Sequence, residues 1–326
     1  MKQSLRCLSL APSRSSSPTN GFTAASAEPS HPYSGLIRSS PVGVLLRLGL
    51  ILTTVLILGV FLVLPLVVVF AEAFRQGWHV YCAAISNPEA LAAVRLSLSV
   101  TALCVAINTA FGLSAAWCLS KYRFFGRNAL ISLIDLPLSI SPVVVGLLLI
   151  LVFGQHGWLG AILERWGVRV IFAFPGIVLA TAFVTLPLVV REVKTLMETE
   201  GSEEEEAARL LGANGWQIFY HVTLPKIRWA LLYGVILCTA RSLGEFGAVS
   251  VVSGHIRGFT VTLPLYVELL YNEYQFSAAF AVASLLTGVG LVTLVVKTVW
   301  QHRINRKLNR GQDCLFEEAS FPCASK

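Results

Sequence analysis

Charge is scarce in this chain. Asp, Glu, Lys and Arg make up 13% of its 326 residues, where a soluble domain carries about a quarter. Hydrophobic residues reach 55%, with a mean hydropathy of +0.70. That balance excludes an ordinary soluble domain and points to an integral membrane protein. No Gly-x-x-x-x-Gly-Lys-Ser/Thr loop occurs and no Ser/His/Asp arrangement sits in a soluble domain, so the chain carries no motif for hydrolysing ATP. Neither Cys-x-x-Cys nor a His/Cys ligand spacing is present, which leaves a metal site unsupported. Of seven cysteines, Cys7, Cys314 and Cys323 fall in the tails and Cys104, Cys118 and Cys238 in apolar runs. Cys82 alone falls in an outer loop, so no intrachain disulfide crosses that face. Residues 1–40 have no apolar h-region before a cleavage site, which excludes a secretory signal. They are rich in Ser, Pro and Ala, with Glu28 the one acid, and residues 1–41 are expected to form a disordered tail. A plastid transit peptide has a similar composition.

What is present is a series of apolar runs, each near the roughly 20 residues that a bilayer requires. They lie at about 48–70, 96–119, 130–153, 171–190, 229–252 and 276–300. The expected fold is therefore an all-α polytopic membrane protein with six transmembrane helices, a membrane domain at 42–300 and a second tail at 301–326. Pro65 should kink the first span. In the third, Asp135-Leu-Pro-Leu-Ser-Ile-Ser-Pro142 frees backbone carbonyls in mid-membrane, a break tolerated only inside protein or facing water. Fifteen lysines and arginines flank one side of these runs, while Arg75, Arg95, Arg165, Arg169 and Arg257 flank the other. The bias places both termini, the 121–127 loop and the segment 201–225 in the cytoplasm. Clustering at membrane flanks also accounts for the net charge of +7 without any nucleic acid.

The segment 201–225 is a polar island between two apolar runs. Ser202 followed by Glu205 reads as a capping box, and the glutamates at 203–206 suit the positive end of a helix dipole. Gly212 is the expected left-handed stop. A second short helix from Asn214 sets Trp216, Phe219 and Tyr220 on one face, and Pro225 suits the opening of the next span. Two short amphipathic helices with an apolar face are built to be gripped by a partner.

Glu206-Ala-Ala208, three residues, Gly212, nine residues, then Val222-Thr-Leu-Pro225 resembles the EAA loop of ABC importer permeases, with Val222 where that family has Ile. The resemblance implies a type I importer permease fold whose coupling helix seats in a cytoplasmic ATPase subunit. The docking residues it implies are Glu205, Glu206, Ala207, Ala208, Gly212, Trp216, Phe219, Leu224 and Pro225. The nucleotide chemistry would then belong to another chain: no cofactor is expected here, and ATP and Mg would be used by partner subunits.

Arg241 and Glu245 lie one helical turn apart near mid-bilayer, where a charge costs a few kcal/mol and should face the bundle interior or a cavity. Arg241 is either the positive element of an anion path, with Ser242, Ser250 and Ser253 as hydroxyl donors, or half of a neutral packing pair. Gly244-Glu-Phe-Gly-Ala248 resembles permeases of both sulfate and molybdate importers. Val249 to Gly258, Thr262-Leu-Pro264 and Leu270-Tyr-Asn-Glu-Tyr274 are similar to the W-type permease family of sulfate/thiosulfate importers. Asp135-Leu-Pro137, Ser141-Pro-Val-Val144, Trp158-Leu-Gly160 and Phe174 to Ala180 extend the resemblance over about 42–300. It implies a sister permease, two ATPase subunits, a periplasmic sulfate-binding protein and a bacterial inner membrane. A molybdate or tungstate permease is the alternative within that class, and a secondary anion transporter the alternative outside it.

Overall fold

Proline punctuates this chain where helices begin. Pro88, Pro142, Pro175, Pro225 and Pro264 each occupy a first or second helical position, where the missing N–H has no intrahelical partner to lose. The computed structural model describes residues 41–319, apart from 156 and 168. Among them every regular element is helical. In chain order these are α1 (Pro41–Phe74), α2 (Trp78–Ile85), α3 (Pro88–Lys121), α4 (Arg127–Ser139), α5 (Pro142–Phe153), α6 (Gly160–Arg165) and α7 (Phe174–Glu200). There follow α8 (Glu203–Leu210), α9 (Gly215–Ile218), a π turn (Phe219–Thr223), α10 (Leu224–Leu243), α11 (Gly247–Val252), α12 (Leu263–Asn272) and α13 (Phe276–Ala319).

The chain divides into two units, Met1–Val60 and Phe61–Lys326, with the boundary inside α1. Within the first, residues 43–60 are helical and almost wholly exposed. In the second unit, α3 and α7 form the central contact and α10 packs on both. Gly112 makes the α3–α7 approach possible: a Cβ there would lie 2.8 Å from Val189 Cγ1. Ala116, Leu119, Ile134, Val189, Val193 and Ile227 fill the core at one end of this bundle. Val100, Ile177, Val261, Leu265 and Val282 fill it at the other. Between them lies a polar centre. The Asn108 amide of α3 donates to Thr185 Oγ1 (2.8 Å) and to Ala182 O (3.1 Å) of α7. It also stands 3.6 Å from the sulfurs of Cys104 and of Cys238 on α10. Surrounded by hydrocarbon, such bonds fix helix register where apolar contact alone would not.

Among the described residues, five helical stretches are long and apolar enough to cross a membrane: Gly43–Phe74, Pro88–Lys121, Phe174–Glu200, Gly215–Leu243 and Phe276–Val299. A sixth exists only if α4 and α5, bent by 112° at residues 140–141, count as one span. The break falls within the Asp135–Pro142 stretch as expected, but at Pro142, which opens α5; Pro137 is accommodated inside α4. The fifth span ends sooner than expected, at Leu243 rather than near Val252. Gly244 to Phe246 leave the helix, and α11 restarts against α5. There Gly146 comes so close to α11 that a Cβ would stand 2.8 Å from Ala248 O. The expected N-terminal tail, 1–41, lies outside the described residues but for Pro41, and the expected C-terminal tail begins as a continuation of α13.

Candidate functional site

The polar island folds as a helical elbow. Gly201 ends α7 with φ 72° and ψ −167°, a region open essentially to glycine alone. The four glutamates form the first turn of α8, where the helix dipole favours negative charge. The capping box expected at Ser202 does not form. Ser202 Oγ donates to Glu206 Oε1 (2.6 Å), and Glu205 turns inward. At the other end Gly212 has φ 85°. Ala213 N–H donates to Ala208 O and Gly212 N–H to Arg209 O, the paired bonds of a Schellman end. The predicted stop is therefore real, and its reason is the left-handed backbone. The second short helix starts with Asn214 N–H donating to the Gln217 side chain (2.8 Å). It does not stop before the span. A π turn carries it straight into α10, widening the helix just before Pro225, where an α turn would set the ring against a carbonyl.

The side chains sort onto two sides of this elbow. Glu206, Ala207, Gly212, Trp216 and Pro225 are exposed, and Ala208 and Leu224 are half-buried. Phe219 leans back on Trp117 of α3, ring centroids 6.1 Å apart, while Trp216 stacks on Tyr220 (6.1 Å). Leu210 and Leu211, nearly fully exposed at 90% and 88%, extend the apolar face, although sequence reasoning does not single them out. Their signal is two leucines directly before a helix-ending glycine on an otherwise acidic helix. Glu205 stands apart from this face: it is 8% exposed, bonded to Lys121 and Thr223.

The second candidate place is the end of α10. Arg241 Nη1 lies 2.7 Å from Glu245 Oε2, the arginine side chain 41% exposed and the glutamate 1%. Glu245 Oε1 accepts the Ala248 N–H at 3.1 Å, so this carboxylate also caps α11. The hydroxyls expected to join Arg241 do not converge on it. Ser242 is buried with its Oγ 3.5 Å from Cys104 Sγ. Ser250 donates to Gly247 O, and Ser253, fully buried, accepts the His255 N–H. Among the described residues no group of three or more His, Cys, Asp or Glu could hold a metal ion.

A bundle broken at mid-length, with an elbow between two spans, is the architecture of an importer permease. The chain belongs to the family of binding-protein-dependent transport system inner membrane components, whose profile matches residues 108–309. It is 48% identical over 263 residues to the sulfate transport system permease protein CysW of Synechococcus elongatus, covering 81% of this chain and 92% of that one. To the sulfate transport system permease protein CysT of Escherichia coli K12 it is 37% identical over 266 residues, 82% of this chain and 95% of that one. In fold it is similar to a chain of a bacterial alginate ABC transporter crystallised with its pentasaccharide-bound periplasmic protein. That likeness has a TM-score of 0.68 at 19% identity, over 79% of this chain and 94% of that one.

Proposed function

We propose that this chain is the membrane-spanning permease subunit of an ATP-driven importer of sulfate or thiosulfate. It works with a sister permease, two ATPase subunits and a periplasmic sulfate-binding protein. The observation that carries the reading is the 48% identity along 92% of a CysW protein, against 37% to a CysT protein. The elbow supports the ATPase assignment: Glu206, Ala207, Leu210, Leu211, Gly212 and Trp216 offer one exposed, mostly apolar surface. Pro225 is exposed as well, and Ala208, Phe219 and Leu224 are half-buried. The distribution of Lys and Arg favours both termini and the elbow in the cytoplasm, where ATP and Mg are available to the partner subunits. The membrane is a bacterial inner membrane in this reading.

Arg241 is the cation of the anion path. Its partial exposure leaves the guanidinium reachable, and Glu245 holds it in place. A dianion must enter such a path and also leave it, and an unneutralised arginine in low dielectric would retain it. The adjoining carboxylate weakens that grip. The test is affinity purification in mild detergent followed by uptake of labelled sulfate. Copurification of an ATPase and a second permease is expected, with uptake that depends on ATP. A chain that transports alone, or a complex that restores molybdenum-dependent activity but not growth on limiting sulfate, would refute the proposal.

A further inference from the structure

The first turn of α8 carries four glutamates, and three of them are exposed. Glu205 is not. Its Oε2 lies 2.9 Å from Lys121 Nζ, the side chains 10% and 14% exposed, and its Oε1 accepts Thr223 Oγ1 at 2.8 Å. Lys121 is the last residue of α3, and it reaches Gly201 O as well, at 3.5 Å. Thr223 is buried and closes the π turn from which α10 continues without a break. One carboxylate thus fastens α8 to the ends of two membrane helices that are far apart in sequence. Lys226 makes a second tie, to Glu200 (3.2 Å) and Glu204 (3.4 Å), but Glu204 is well exposed and water screens such pairs.

The need for that fastening follows from the glycines. Helix α8 is eight residues long and is bounded by Gly201 and Gly212, both at positive φ, where a Cβ would meet nothing within 4 Å. Left to itself, a short helix between two such residues swings as a flap, and a push on its exposed side would be absorbed at the glycines. With Glu205 tied to Lys121 and Thr223, the same push is delivered to α3 and α10.

We propose that Glu205 is a positioning residue, the strut through which movement of the coupling elbow reaches α3 and α10. This rests on the reading of the elbow as the ATPase contact. The experiment uses the purified complex in proteoliposomes and reads sulfate uptake per ATP hydrolysed. Glu205→Gln keeps the volume and an acceptor for Thr223 but removes the ion pair, and Lys121→Gln removes it from the other side. Each single variant is expected to copurify with the ATPase and to lower the uptake-to-hydrolysis ratio at least about fivefold, the lower range of site-to-site coupling. The double variant is expected to be no worse than either single, because one interaction has been lost in all three. The exchanged pair Lys121→Glu/Glu205→Lys is expected to recover part of the ratio, a rescue that a loss of folding would not show. Should the single variants fail to assemble, Thr223→Val tests the same strut by deleting one hydroxyl, and a lowered ratio is again expected. A wild-type ratio in Glu205→Gln, or in Thr223→Val, would overturn the inference. Absence of an ATPase from the wild-type complex would instead overturn the reading on which it rests, and the inference with it.

Discussion

Removing the two members of the Arg241–Glu245 pair should have unequal effects. Glu245 is almost completely buried, and its carboxylate has two partners, the Arg241 guanidinium and the Ala248 N–H. Arg241→Gln leaves a charged carboxylate in low dielectric with one backbone donor. Breaking a buried pair in this way costs about 3–5 kcal/mol, and the partial exposure of Arg241 puts this case at the lower end. Glu245→Gln keeps an acceptor for Ala248 N–H and leaves a guanidinium that is 41% exposed and can reach water. Its cost should be that of one hydrogen bond, about 1 kcal/mol. The gap of about 2 kcal/mol corresponds to roughly a thirtyfold difference in the folded-to-unfolded ratio. Arg241→Gln/Glu245→Gln should return to near the Glu245→Gln level, the coupling expected of neighbours. The assay is the yield and thermal midpoint of the detergent-solubilised complex for all three variants, with sulfate uptake measured beside it. Equal damage from the two single variants would refute the asymmetry. Full uptake by Arg241→Gln would refute both the pairing argument and the anion path.

Gly212→Ala meets no steric neighbour but must adopt left-handed backbone, at a cost of about 1–2 kcal/mol; the inserted protein should persist with a frayed elbow. Gly212→Glu should insert yet lose ATP-coupled uptake, and normal uptake by that variant would remove the docking role. Gly112→Val drives a side chain into Val189 and should cost about 1–3 kcal/mol or more in thermal stability, whereas Gly288→Ala, with nothing within 4 Å, should be silent in the same melt. In a Cys82→Ser background, cysteines at the exposed positions Trp158 and Phe259 should react with an impermeant maleimide from outside, and cysteines at Phe125 and Leu211 only after permeabilisation. Labelling of both sets from one side would overturn the topology.

The helices legible in the sequence are those whose cause is local. Hydropathy locates α3, α7 and α13, Pro142 marks the α4–α5 break, and Gly212 marks the end of α8. The break after Leu243 carries no proline. It follows from the seat that α5 provides for α11 at Gly146, a contact about a hundred residues distant in the chain. Glu205 shows the same limit. Ser202 and Glu205 have the spacing of a capping box, but Lys121 and Thr223 compete for the carboxylate and win, since a nearly buried ion pair with a second hydrogen bond outweighs one exposed cap. Ser242 reads as a path hydroxyl because it adjoins Arg241. Helical geometry turns it about 100° away, toward Cys104 and Cys238.

The two interruptions of the bundle are neighbours: a Cβ at Gly247, the first residue of α11, would stand 3.0 Å from Pro142 Cβ, the first residue of α5. Two interrupted joints therefore lie side by side. Bending α3 would require stretching a ladder of backbone hydrogen bonds, whereas α5 and α11 meet their preceding shafts at joints where that ladder is already interrupted. A tilt of α5 together with α11 thus meets less resistance than bending α3. The Arg241–Glu245 pair ties the last turn of α10 to the linker of one joint, and Glu245, through the Ala248 N–H, carries the tie on to α11, a clasp on the tilt.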